Sequence, residues 1–89
     1  MRKILVFIKC ELGKTYDVAH ALANSDLSPT LDSISGDYDL FAQFNVTEND
    51  DIGRIIAEQV QRTPGIRDTK TIICFNPFTA DQGVKDGNG

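Results

Sequence analysis

Ser35-Gly36-Asp37-Tyr38-Asp39 sets a hydroxyl, two carboxylates and a phenol within five consecutive residues. A pair of acids can do general acid–base work only if one of them is held in a pocket that shifts its protonation. On a turn both acids are solvated and ionised, and ionised carboxylates beside hydroxyls are acceptors for an ammonium group. A second polar set, Thr69 and Thr71, alternates along the sequence and so shares one face of a strand. The two sets together hold donors and acceptors for a small polar ligand. On this reading Asp39→Ala weakens ligand binding and leaves the fold intact.

The other reactive residue types stand apart. His20 falls beside the apolar stripe of its helix, and no Cys or Asp is spaced to meet it, so it is read as a surface residue. Cys10 and Cys74 belong to no CxxC or Cys/His cluster, so neither a metal nor a cofactor is expected.

The elements that must position these residues follow from periodicity. Gly36-Asp37 lies between an alternating run, 31–35, and an apolar-rich one, 40–46. It reads as a tight hairpin turn, because glycine takes positive φ without steric cost. A first strand over 3–11 puts Ile4, Val6, Ile8 and Cys10 on one face and Leu5, Phe7, Lys9 and Glu11 on the other. A strand apolar on both sides belongs at the centre of a sheet covered twice. After Gly13 a helix opens at Lys14 or Thr15 and runs to about Asn24, with Tyr16, Ala19, Leu22 and Ala23 as its inward stripe. Pro29 precedes a short second strand, about 30–35, of edge character. The third strand spans 40–47. Asn49 or Asp50 caps a second helix, 50–63, carrying Ile52, Ile55, Ile56 and Val60 at helical spacing. Thr63-Pro64-Gly65 stops it, and the last strand runs from Ile66 to about Phe75 or Phe78. Residues 79–89 have almost nothing to bury and read as a flexible tail behind one domain, 1–78.

The order strand, helix, strand, strand, helix, strand is the α+β, ferredoxin-like βαββαβ pattern, a four-stranded antiparallel sheet. Right-handed crossovers place the first and third strands in the middle, the fourth beyond the first and the second beyond the third, with both helices on one face. The open face presents Phe7, Phe41 and Phe75, which predicts a face-to-face homodimer closing as an α+β barrel. Cys10 and Cys74 fall at opposite ends of the sheet, and no disulfide is expected. The hairpin is placed at the end where the last strand finishes, and Thr69 and Thr71 where it begins, roughly 20–25 Å away. One small ligand can then reach both sets only in a pocket between subunits.

With 89 residues the chain is a small domain that buries roughly 60% of its unfolded surface, so assembly would add useful burial. Lys and Arg number 9 against 13 Asp and Glu, for a net charge of −4, and the basic residues are scattered. Such a chain is repelled by phosphate backbones, which argues against direct nucleic-acid binding. Arg2-Lys3 before Ile4–Ile8 has the look of a signal peptide. Lys9 interrupts the apolar run short of the about 7–15 residues a secretory core needs. No run approaches the roughly 18 apolar residues of a membrane span, and a cytoplasmic location is expected.

Ser35-Gly36-Asp37-Tyr38-Asp39-Leu40, followed by Thr63-Pro64-Gly65-Ile66-Arg67-Asp68-Thr69-Lys70-Thr71, resembles the effector-binding (RAM) domain of the Lrp/AsnC transcriptional regulators. The similarity runs from about Lys3 to Phe78. It implies a ferredoxin-like domain that dimerises through its sheets, assembles into rings of dimers, and binds a free amino acid or related small molecule between dimers. It also implies Ser35, Gly36, Asp37, Tyr38, Asp39, Thr69 and Thr71 as ligand-binding residues. No helix-turn-helix precedes the domain, so the resemblance is to the stand-alone modules. DNA binding is not carried over, whereas co-assembly with a full-length regulator is. The implied role is transcription regulation without catalysis. Two alternatives are a small dimeric α+β-barrel enzyme of oxygenase or isomerase type, which needs an inward polar group such as His20, and a purely structural assembly partner.

Overall fold

Alternation of Ile4, Val6, Ile8 and Cys10 with Leu5, Phe7 and Lys9 produces the central strand β1 (Arg2–Cys10), in which the first set is buried and the second half-buried. A computed structural model describes residues 1–78 of the protein; the tail expected at 79–89 lies outside the described residues. After β1 come α1 (Thr15–Ala23), β2 (Thr30–Ser33), β3 (Leu40–Val46), α2 (Ile52–Ile55, continued as a π-helical turn over Ile56–Val60) and β4 (Ile66–Ile73). All neighbouring strands are antiparallel, in the order β2-β3-β1-β4. This is the ferredoxin-like arrangement expected from the sequence.

Both helices pack on one face. Ile4, Val6, Ile8, Leu40, Ala42, Phe44 and Val46 from the sheet enclose Val18 and Leu22 of α1 and Ile56 and Val60 of α2 in one core cluster. Among the described residues no polar or charged side chain is buried there. Truncating one of the fully buried aliphatics would cost a few kcal/mol in lost transfer energy and residual cavity. The opposite face of the sheet carries Leu5, Phe7 and Phe41, half-buried, and Ile72, which is 37% exposed.

Several local expectations are corrected. The inward stripe of α1 is Val18 and Leu22, with Ala19 against the core, whereas Tyr16 is 87% exposed. The helix is turned so that β-branched Val18 meets the sheet and Tyr16 is left at the rim of its first turn. The cap of α2 is Asp51, whose carboxylate accepts from the Arg54 amide. Asp50 instead accepts from the Thr47 amide and closes the loop before the helix. Three adjacent residues could each have capped, and the tertiary path of the loop decides between them. The helix is also shorter than 50–63, and it ends in a wide turn closed by the Gln61 amide on the Ile56 carbonyl. β4 stops at Ile73, leaving Phe75 beyond the sheet and 79% exposed.

The two cysteines lie at opposite ends, as expected. Cys10 pairs with Ile66, while the Cys74 amide donates to the Lys3 carbonyl, and both thiols are free.

Gly65 ties the α2–β4 turn to α1. Its φ is +95°, and a Cβ there would come within 3.0 Å of both Lys14 Cβ and Val18 Cγ2. Gly65→Ala combines backbone strain with a steric clash and is expected to destabilise the fold by about 1–3 kcal/mol. Urea unfolding checks this. Gly36→Ala, where φ is also positive but no atom lies within 4 Å of the added Cβ, is expected to cost less.

Candidate functional site

The connection between β2 and β3 is longer than a two-residue hairpin. Ser33 pairs with Leu40, and the Ile34 amide donates to the Asp39 carbonyl, so Ser35–Tyr38 form a four-residue loop with Gly36 at φ +103°. The loop is held at two points against β1. Asp39 donates its amide to the Ile8 carbonyl at 2.9 Å and accepts the Cys10 amide on Oδ2 at 2.8 Å. Lys9 Nζ donates to the Asp37 carbonyl at 3.0 Å.

The five residues Ser35–Asp39 diverge. Tyr38 turns to the open face of the sheet, its ring 5.7 Å from that of Phe7, which in turn lies 5.0 Å from Phe41. Asp39 turns to the helix side and forms one wall of a cleft of about 410 Å³, with Ser33 and Ile34 beside it and Gly13, Thr15 and Tyr16 opposite. Ser35, Gly36 and Asp37 are exposed at the tip. The cleft residues Gly13, Thr15 and Tyr16 escaped the sequence reading. The one signal for them in the sequence is the glycine that breaks β1 at the same end of the sheet as the loop.

The position of Thr69 and Thr71 overturns the expected separation. β4 begins, rather than finishes, at the loop's end of the sheet. Leu40, Ile8 and Thr69 lie abreast on β3, β1 and β4, two interstrand spacings or about 10 Å across. Thr71 pairs with Val6, one pleat repeat away. Because β4 runs antiparallel to β1, its first residues lie beside the last residues of β1, where the loop is clamped. The geometric reason for placing a shared pocket between subunits therefore falls. Even so, the threonines do not join the cleft: Thr69 Oγ1 accepts from Gln61 Nε2 at 2.9 Å, Thr71 is exposed, and both lie toward the opposite edge of the sheet.

Electrostatics favour a cation at the loop and donors at α1. Asp39 keeps Oδ1 outside its bond to the Cys10 amide. α1 begins without a side-chain cap, which leaves first-turn amides free as donors, and its first residues Thr15 and Tyr16 line the cleft. Burial pushes the Cys10 thiol above its ordinary value of 9.0; a hydrogen bond with Thr15 pulls it down, and the nearby Asp39 carboxylate raises it further. Cys10 therefore remains a thiol at neutral pH. His20 is exposed, its Nε2 3.4 Å from Asn24 Nδ2, and does not supply an inward polar group. Among the described residues no three His, Cys, Asp or Glu side chains converge as a metal site, and no helix is long and apolar enough to cross a membrane.

The chain belongs to the Lrp/AsnC ligand binding domain family, whose model matches residues 3–84. A comparison with curated proteins finds no match. Among solved structures, TTHA0845 from Thermus thermophilus superposes with a TM-score of 0.81 at 19% identity, covering 89% of this chain and 99% of that one. AsnC of E. coli gives 0.76 at 18% identity, covering 88% of this chain and 54% of its own length. The transcriptional regulator NMB0573 of Neisseria meningitidis, solved as its L-Met complex, gives 0.75 at 9% identity, covering 88% and 52%. At these identities the likeness is one of fold, and the chain spans about half of the two longer regulators.

Asp39 is a structural residue as well as a candidate ligand group, which corrects the expectation that Asp39→Ala leaves the fold intact. Removing the carboxylate strands a partly buried amide, and Asp39→Ala is expected to cost about 1–3 kcal/mol in urea unfolding, with Asp39→Asn costing less. The Cys10 thiol gives a pH signature. Its raised folded value means that its contribution to stability is complete below the ordinary value and fades as pH rises through the folded one. Stability measured from about pH 8 to 11 is expected to fall more steeply in the native protein than in Cys10→Ala.

Proposed function

We propose that the protein is an amino-acid-sensing module of transcription regulation, taking a free amino acid or a close analogue in the cleft between α1 and the β2–β3 loop. The observation that carries this reading is the opposition, across about 410 Å³, of the Asp39 carboxylate to the uncapped first turn of α1. An α-amino acid has an ammonium for Asp39 and a carboxylate for the Thr15 hydroxyl and the first-turn amides. Tyr16, exposed at the rim, offers an aromatic surface to the ligand's side chain.

The cleft is open, and Ser35, Gly36 and Asp37 project past it to solvent. They reach a bound ligand only where a neighbouring subunit closes over the loop, which keeps the site coupled to assembly. Dimerisation through the open face, centred on Phe7 and Phe41, is the first step of that assembly, and rings of dimers or co-assembly with a full-length regulator are the next. Thr69 and Thr71 act in this scheme on the outer edge of the sheet, at a distance from the ligand held by Asp39. The complex of NMB0573 with L-Met supports an amino acid as the class of effector.

Thermal unfolding against each of the twenty amino acids, with the assembly's mass measured in parallel, tests the reading. At least one amino acid at about 100 times its dissociation constant is expected to stabilise the fold by about 2.7 kcal/mol, a shift of several degrees for a domain of this size. The same ligand is expected to change the mass. Thr15→Val is expected to reduce the shift while leaving the unliganded midpoint within a degree or two, and an unchanged shift in that variant would move the site elsewhere.

A further inference from the structure

Strand register arranges the open face in rows, and two rows matter. Asp32, Phe41, Phe7 and Lys70 lie abreast on β2, β3, β1 and β4, and one pleat repeat along lie Thr30, Gln43, Leu5 and Ile72. The apolar centre is thus flanked by an acid on one outer strand and a base on the other, in the same row. Both are exposed, and neither makes an ion pair or side-chain hydrogen bond among the described residues. Three further charges share this face: Lys3, exposed two pleat repeats from Phe7 along β1, and Lys9 and Asp68, abreast one repeat from Phe7 in the other direction. Lys9 is held on the Asp37 carbonyl, and Asp68 accepts the following amide, that of Thr69.

We propose that Asp32 and Lys70 form two symmetry-related ion pairs across the sheet-to-sheet homodimer and set its twofold axis along the strands. This rests on the proposed dimer through Phe7 and Phe41 and adds the geometry it takes. A face-to-face pair of identical sheets can be related by an axis along the strands or by one across them. An axis along the strands exchanges the two outer strands and keeps each row level. β2 then faces the partner's β4, Asp32 faces the partner's Lys70 twice over, and Phe7 faces the partner's Phe41. An axis across the strands lays β2 over the partner's β2 and brings acid toward acid and base toward base. Sheets pack about 10 Å apart, a gap that an aspartate and an extended lysine span together. The rim pairs add modest affinity but penalise the wrong alignment, because like charges brought together are more costly than opposite ones are favourable.

Charge reversal tests this by sedimentation equilibrium at low salt. Asp32→Lys and Lys70→Asp, each at an exposed position, are expected to weaken their own homodimers at least about tenfold, since each creates two like-charge contacts. Mixing the two variants is expected to restore wild-type affinity as a heterodimer, and so is combining both changes in one chain. Single variants that dimerise like wild type, in a protein whose dimer is lost in Phe7→Glu, would overturn the axis and leave the sheet-to-sheet dimer standing. A wild-type protein that stays monomeric, or a dimer that survives Phe7→Glu, would overturn both.

Discussion

The end of β1 is the point on which the rest of the molecule depends. Its last amides face places where no strand continues, and an unpaired amide near the core is costly. The Cys10 amide is taken by the Asp39 carboxylate and the Glu11 amide by the Gly65 carbonyl. One acceptor comes from the loop before β3 and the other from the turn before β4. A single strand end thereby fixes the entry of both neighbours, and with them the cleft wall and the start of the outer strand. Gly65 then sets α1 close against that turn, because only a residue without a side chain fits beneath Lys14 and Val18.

This explains why the candidate site and the scaffold cannot be cleanly separated. Asp39 forms the cleft wall because it is already committed, in part, to holding β1. Its neighbour Tyr38 goes the other way, onto Phe7. Adjacent loop residues thus reach the two surfaces through which the protein is proposed to work, the cleft on the helix side and the aromatic face of the sheet. The proposed ligand contact at Asp39 and the proposed subunit contact at Tyr38 are thus one peptide bond apart.

The topology was legible in the sequence because strong period-two runs and one clear helix left few right-handed arrangements. Ile4, Val6 and Ile8 mark one apolar face of β1 and Leu5 and Phe7 the other, and Ile52, Ile55, Ile56 and Val60 mark the covered face of α2. What was not legible depended on tertiary choice. Val18 and Tyr16 compete for the inward side of a nine-residue helix, and only contact with Gly65 and the sheet decides between them. Asn49, Asp50 and Asp51 are equivalent caps until the loop closes on Thr47. The polar loop stood out by composition, but the outward divergence of Tyr38 and Asp39, and the cleft contributed by Thr15 and Tyr16, arise from where β1 stops. Thr69 and Thr71 were recognised as a pair, yet the hydrogen bond from Gln61 to Thr69 follows from packing.

The strand order also governs how the chain is made. β1 sits between β3 and β4, so the first strand of the domain is satisfied on its second edge only when the last one has formed. That contact closes a loop spanning nearly the whole domain, and its entropy is lost before the pairing is gained. During synthesis, β1 with its row of buried isoleucine and valine remains an open edge until Ile66–Ile73 has emerged. The fold is therefore assembled late and as a whole, with its most apolar strand the last to be enclosed.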